Sequence, residues 1–383
     1  MPIRRRLLLA LVLVLLLLPL SPVRRSAAAS TWYVSISGNN AGSCSLSDPC
    51  LTIQSAVNRA ASGDLVLVAA GTYSSSTNGE SFPITITDNS LVINGAGKDS
   101  TIINAANSAV NVINVGGHID FYFSGFTVRG GNHGIDLNGY SIPAMSGVID
   151  DCLVTGNVVG IYAVWYGGSI EDSDISGNTH SGIYTYYYSP YITRNILGLN
   201  GSANLGYPGD AAIINDHSSP FITNNVIGWN NGSGIYSTQS NPTVTNNTLA
   251  FNYGGCGVAN FDSSSSVVTN NIIAANGVYG VLAADISSST NTYNDVWDNG
   301  WGDYSGTSGG MGSSSANPLF VSFFDAHLLC SSPAIDHGNN GAPSVPSVDY
   351  DRNPRPVGGL VDMGAYEWQS PLRCPAFLPA VLR

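Results

Sequence analysis

Lysine is almost absent from this chain: Lys98 is the only one. Lys and Arg together number 13 against 25 Asp and Glu. Five of the basic residues, Arg4, Arg5, Arg6, Arg24 and Arg25, lie in the first 29 positions, which hold no acid. The remainder carries 8 basic groups against 25 acidic, a net charge near −17. A surface of that sign repels phosphate backbones, which excludes nucleic acid as a partner. Charged residues of both signs make up only 10% of the chain, while apolar residues reach 43%. Low charge with that apolar content excludes a disordered chain. No CxxC pair or Cys/His cluster is present, so zinc is not indicated. No GxSxG elbow or P-loop is present either.

What is present begins with an export pattern. Arg4 to Arg6 precede an apolar run from Leu7 to Leu20, and Ala27-Ala28-Ala29 follows it. The run is shorter than the ~20 residues a spanning helix needs. It reads as a secretory leader over 1–29. No other segment could cross a bilayer, so the mature chain is expected to be secreted or at the cell surface without a membrane span. Six cysteines in an exported chain suggest disulfides. Cys44 and Cys50 share a Gly/Ser-rich loop and are expected to pair; Cys152 is expected to be a buried thiol.

A Gly or Ala followed by Ile or Val recurs at Gly134, Gly160, Gly182, Ala212, Gly234, Gly257 and Gly280. The steps are 26, 22, 30, 22, 23 and 23 residues. Cys152, Ser173, Asn195, Asn225, Asn247 and Asn271 keep step with that series. A period of ~20–30 residues means a solenoid whose coils pack on their neighbours. Two strands are read in each coil, one from the Gly-Ile pair and one in runs such as Phe221 to Ile227. Ile149, Ile170, Ile192, Ile222, Val244 and Val268 form one inward column. Asn stacked on Asn satisfies side-chain amides along the axis. The 30-residue step contains an insertion within Gly198 to Gly209, which must leave the coil as a loop.

Before the regular coils, Ile53 to Ala61 shows one helical face, suited to capping the open end of a solenoid. Leu91 to Ile93, Thr101 to Ile103 and Val110 to Val112 read as short strands of irregular first coils. The expected organisation is a leader (1–29), a cap with the first strand (30–81), the solenoid (82–299), a C-terminal accessory segment (300–368) and a tail (369–383). The apolar tail reads either as a sorting signal or as a docked terminus.

These features resemble the right-handed parallel β-helix family, of which pectate lyases are members. Thr52 to Val57, Gly63 to Val68 and Gly71-Thr72-Tyr73 are similar to the family's cap and first coil. The Asn ladder and Gly-Ile coils are similar to its repeats. Ser332 to Asp336 and Asp362 to Glu367 resemble the "choice-of-anchor Q" segment of secreted β-helix proteins. The resemblance implies an all-β, single-stranded right-handed parallel β-helix. It spans lyases, hydrolases, epimerases and adhesins, and so leaves activity open.

The repeat serves as a ruler for the exterior. One residue past each inward Ile stand Asp136, Tyr162, Tyr184, Ile214 and Tyr236; farther along come Tyr186 and Asp216, then Trp165, Tyr187 and His217, then Tyr140, Tyr166 and Tyr188. One outward face is thus expected to gather Tyr162, Trp165, Tyr184, Tyr186, Tyr187 and Tyr236, with Asp216 and His217 at its edge. Aromatic side chains also favour strands and stack on one another. Adjacent residues on a strand face opposite ways, which argues against Asp216 and His217 acting as a pair. A second cluster holds Asp150, Asp151, Glu171, Asp172 and Asp174. Carboxylates so close repel unless a cation bridges them, so Asp151, Glu171, Asp172 and Asp174 are a candidate Ca²⁺ site, although no cofactor is required. The resemblance to pectate lyases implies Arg194 as the base beside it. As an inverting hydrolase pair, Asp151 and Asp172 stand too close.

The leading expectation is a monomeric secreted protein that contacts extracellular polysaccharide or cell-surface glycan through the aromatic face. The alternatives are a lyase or hydrolase acting on acidic polysaccharide, and a structural or adhesive surface protein.

Overall fold

The computed structural model describes residues 29–87, 90–117, 119–139, 144–202 and 210–370. The leader, most of the expected insertion, Tyr140 and the tail lie outside them.

Parallel strands stack into three long sheets. The first has eleven strands, from Thr31–Val34 to Ser288–Thr292. The second has ten, from Ile84–Thr87 to Gly302–Ser305. The third also has ten, from Gly71–Tyr73 to Asp295–Trp297. Successive strands of the chain visit the first, third and second sheets in turn, as Ser146–Asp150, Leu153–Thr155 and Val159–Val164 do. This is the expected right-handed parallel β-helix. The inward column runs in register from Ile149 through Ile170, Ile192, Ile222 and Val244 to Val268. The Gly-Ile column does the same from Ile135 to Val281. Both columns are buried in one continuous apolar core.

A coil has three strands where two were expected. Phe221 to Ile227 looks like one strand in sequence but divides into Phe221–Thr223 in the first sheet and Val226–Gly228 in the third. Asn224, at φ 55°, turns the chain between them. Asn tolerates this left-handed conformation better than most side chains. Equivalent corners fall at Asp151, Asp172, Arg194, Asn246 and Asn270, with φ between 44° and 60°.

Behind each such corner the next residue points inward. The backbone N–H groups of Asn195, Asn225, Asn247 and Asn271 each donate to the Asn side-chain oxygen of the following coil at 2.8–2.9 Å. Five residues farther on runs a second ladder, Asn157, Asn178, Asn200, Asn230, Asn252, Asn276 and Asn299, bonded in the same manner except that Asn230 donates from its side-chain amide. Cys152 is a buried thiol at the head of the first ladder, its pKa pushed up to about 12 by desolvation. Cys44 and Cys50 form a disulfide.

Two early elements differ from expectation. The helix spans only Ile53–Val57, with the Thr52 hydroxyl accepting from Ser55 N at 3.2 Å. Beyond it, the Asp64 carboxylate captures Ala61 N, Ser30 N and the Trp32 indole, fixing a turn where helix was read. Val110 to Val112 is not a strand; the strand is Ile113–Gly116. Asn111 instead clamps a turn, donating to Asn114 and Asp136 and accepting from His133 N.

The C-terminal segment folds back along the outside of the solenoid. Val348, Asp362 and Asn339 present backbone carbonyls to the side chains of Asn224, Asn246 and Asn270. Leu328, Ala334, Ile335 and Met363 cover Ile272 and Ala274 of the third sheet, forming a second apolar cluster. At its centre Arg355 and Glu367, both with fully buried side chains, pair at 2.9 Å. Arg355 also donates to the Asn224 side chain and to the Gly364 carbonyl.

Candidate functional site

The aromatic residues meet on the outer face of the second sheet. Tyr162 and Tyr184 are register partners with ring centroids 5.2 Å apart. His133, which the sequence reading did not single out, stacks on Tyr162 at 4.5 Å. At the adjoining corner Trp165 stacks on Tyr187 at 5.3 Å, and Tyr187 contacts Tyr186 at 4.0 Å and His217 at 5.4 Å. Along each ladder a ring covers part of its neighbour's face. Tyr187 is 44% exposed.

Two residues assigned to this face behave differently. Tyr236 stacks on Phe261 and is separated from Tyr184 by the rung that carries Ile214. Tyr166 is buried, donating to the Gly147 and Ser169 carbonyls. It follows Trp165, whose φ of 54° turns the chain back toward the core.

The same corner geometry overturns the argument against an Asp216–His217 pair. His217 has left the strand, with φ 52°, so alternation no longer applies. Its Nδ1 lies 2.6 Å from Asp216 Oδ1, and the Tyr184 hydroxyl donates to Asp216 Oδ2 at 2.7 Å. An Nδ1–H donated to this carboxylate points the Nε2 edge of the ring away from Asp216. Burial and the bond to Asp216 hold the Tyr184 phenol above its ordinary pKa, so it stays a donor at neutral pH.

The charge on this face has one sign. None of the ten strands of the second sheet contains Lys or Arg, while Asp136 and Asp216 lie on it. Asp262, at the same corner position as His217 two coils on, accepts from Thr238.

The carboxylate cluster is dispersed. Asp150 accepts from the Tyr122 hydroxyl at 2.5 Å, and Asp151 pairs with Lys98 at 2.8 Å. Arg194 bridges Glu171 and Asp172, each at 2.7 Å, and Asp172 also binds Arg352 of the C-terminal segment at 2.7 Å. Asp174 starts a strand of the third sheet, past the corner at Asp172. Among the described residues no group of three or more His, Cys, Asp or Glu is placed to hold a metal ion. Asp151, Glu171 and Asp172 meet ammonium or guanidinium groups. Arg194 is held charged, its pKa raised chiefly by Asp172, the reverse of what a base requires. Of these carboxylates Asp172 ties the C-terminal segment to the solenoid, through Arg352.

Comparison with known proteins agrees with the architecture. Residues 202–322 match the family model described as right handed beta helix region, and residues 36–205 match a model of a protein family of unknown function. No curated protein matches the sequence. Among solved structures, the pectate lyase Pel9A is similar at 16% identity and a TM-score of 0.62, covering 89% of this chain and 97% of its own. XylC, solved in complex with xylose, is similar at 9% identity and a TM-score of 0.50, covering 88% of this chain and 98% of its own. At these identities the likeness is one of fold.

Proposed function

We propose that this right-handed parallel β-helix is an exported protein that binds extracellular glycans through the aromatic face of its second sheet. The observation that carries the reading is the convergence of Trp165, Tyr184, Tyr186, Tyr187 and His217 beside Asp216. Ring stacking along a ladder accounts for the Tyr162–Tyr184 and Trp165–Tyr187 pairs. It does not account for an exposed Tyr187 joined to a Tyr184–Asp216–His217 hydrogen-bonded chain. Exposed rings offer apolar surface for sugar C–H groups. The phenols, the imidazole and the carboxylate offer directed partners for hydroxyls, and that mixture is what small polar ligands need. XylC, which shares the fold, is seen with xylose, and Pel9A is a pectate lyase, so carbohydrate partners suit this scaffold. The resemblance of the C-terminal segment to the choice-of-anchor type extends the proposal to placement at the cell surface.

Lyase chemistry at the carboxylate cluster has less support, because Arg194 is bound to Glu171 and Asp172, and Asp172 also accepts from Arg352. The absence of basic side chains from the aromatic face favours uncharged glycans over polyuronates. A glycan array tests the reading. Wild-type protein is expected to mark neutral polysaccharides, and the Trp165→Ala, Tyr187→Ala double variant to lose that signal. An unchanged array for the double variant would refute it.

A further inference from the structure

Beyond His133, at the N-terminal end of the aromatic ladder, the same face of the second sheet sinks into a polar cavity of about 130 Å³. Thr85, Thr87, Asn114, Asp136 and Asn138 line it. It is close in size to one pyranose ring. Asn114 and Asp136 are register partners on adjacent strands, so they stand ~4.8 Å apart across the floor. Their inner atoms are fixed: Asn111 Nδ2 donates to Asn114 Oδ1 at 2.9 Å and to Asp136 Oδ2 at 2.8 Å, and His133 Nδ1 lies 2.9 Å from the same Asp136 oxygen. Among the described residues, Asn114 Nδ2 and Asp136 Oδ1 have no protein partner. The floor therefore holds one preset donor beside one preset acceptor, flanked by two threonine hydroxyls.

We infer that this cavity is a subsite for one neutral pyranose, the end sugar of a glycan whose next rings lie over Tyr162 and Tyr184. The inference rests on the glycan reading above and adds to it a site and a ligand class. Two neighbouring hydroxyls of a pyranose match the pair, one accepting from Asn114 Nδ2 and one donating to Asp136 Oδ1. A uronate would bring its carboxylate against Asp136 on a sheet without a cation, and like charges across so short a gap are costly. The coil spacing of ~4.8 Å is near the length of one pyranose, so a chain lying along the solenoid axis places about one sugar on each coil. The His133 ring, stacked on Tyr162 and bonded to Asp136, joins the cavity to the aromatic ladder.

Titration calorimetry with the β-1,4-linked tetrasaccharides of glucose, mannose and xylose, and with tetragalacturonate, tests this. Wild-type protein is expected to bind a neutral tetrasaccharide and not tetragalacturonate. Asp136→Asn and, separately, Thr87→Val each remove a cavity partner at the surface while leaving the core intact. Loss of a hydrogen bond to a charged group predicts about a tenfold or greater weakening for Asp136→Asn, with a smaller loss for Thr87→Val. If both variants bind as tightly as wild type while Trp165→Ala, Tyr187→Ala does not bind, the subsite is overturned and the aromatic reading stands. If tetragalacturonate binds as tightly as the neutral sugars, the ligand class is overturned. If no saccharide binds, both readings fall.

Discussion

Asn224 and Asn225 are neighbours in sequence with different roles. Asn225 points inward, where its amide donates to the Ile192 carbonyl and its oxygen accepts from Asn195. Asn224 turns outward at φ 55° and accepts from Arg355. Each leaves buried groups unpaired if lost, at about 1–3 kcal/mol per group. Asn225→Ala is expected to lower the urea midpoint of the solenoid itself. Arg355→Ala acts elsewhere, stranding the buried Glu367 carboxylate. Removing one partner of a buried pair costs about 3–5 kcal/mol, so that variant is expected to expose the C-terminal segment to protease while the solenoid stays folded. Full protection of the segment in Arg355→Ala would show that the pair does not hold it.

At the level of strands and ladders, the repeat was readable because inward Ile and Asn recur with the coil. The second Asn ladder was equally available, since each member stands five residues past a member of the first. The third sheet was hidden because in the regular coils its strands have only three residues and follow the first without a Gly or Pro between them. What separates them is a left-handed corner, occupied by Asp, Arg, Asn and Tyr, while Trp165 and His217 occupy the left-handed corner between the second and first sheets. The same corners made the candidate site only partly legible. Counting along the repeat gathered Trp165, Tyr184 and Tyr187 correctly. Strict alternation missed the Asp216–His217 pair and placed Tyr166 outside. The docking of Arg352 on Asp172 joins residues 180 positions apart, which no local spacing reveals. Asn230→Ala, in the second ladder, is predicted to destabilise as much as Asn225→Ala, because it has the same set of buried partners. Equal hydrogen-exchange protection of the flanking coils in Asn230→Ala and wild type would contradict that.

For the molecule as a whole, the C-terminal segment is a clasp whose grip depends on pH. Burial and the nearby Glu367 raise the Asp362 pKa to about 7, above its ordinary value of 3.8. Between those values the folded state binds more protons than the unfolded one, so stability from this group falls as pH rises toward 7. Asp172 acts oppositely. Its two arginines outweigh burial and lower its pKa below 3.8, so its contribution is present above that value and lost as pH falls through the lowered pKa. The clasp is therefore expected to be tightest near pH 4–5, and thermal unfolding across pH 3–8 should show a maximum there, with Asp362→Asn making the decline toward neutral pH shallower while Glu367, also raised by burial, keeps part of it. The proposed glycan surface lies on another sheet and is expected to be indifferent to the clasp. Affinity electrophoresis in gels containing neutral β-glucan, mannan or xylan, comparing wild type, Trp165→Ala with Tyr187→Ala, and Arg194→Ala, tests that division of labour most directly. The account predicts retardation of wild type and Arg194→Ala in at least one gel and free migration of the aromatic variant. Retardation that survives in the aromatic variant and vanishes in Arg194→Ala would contradict it.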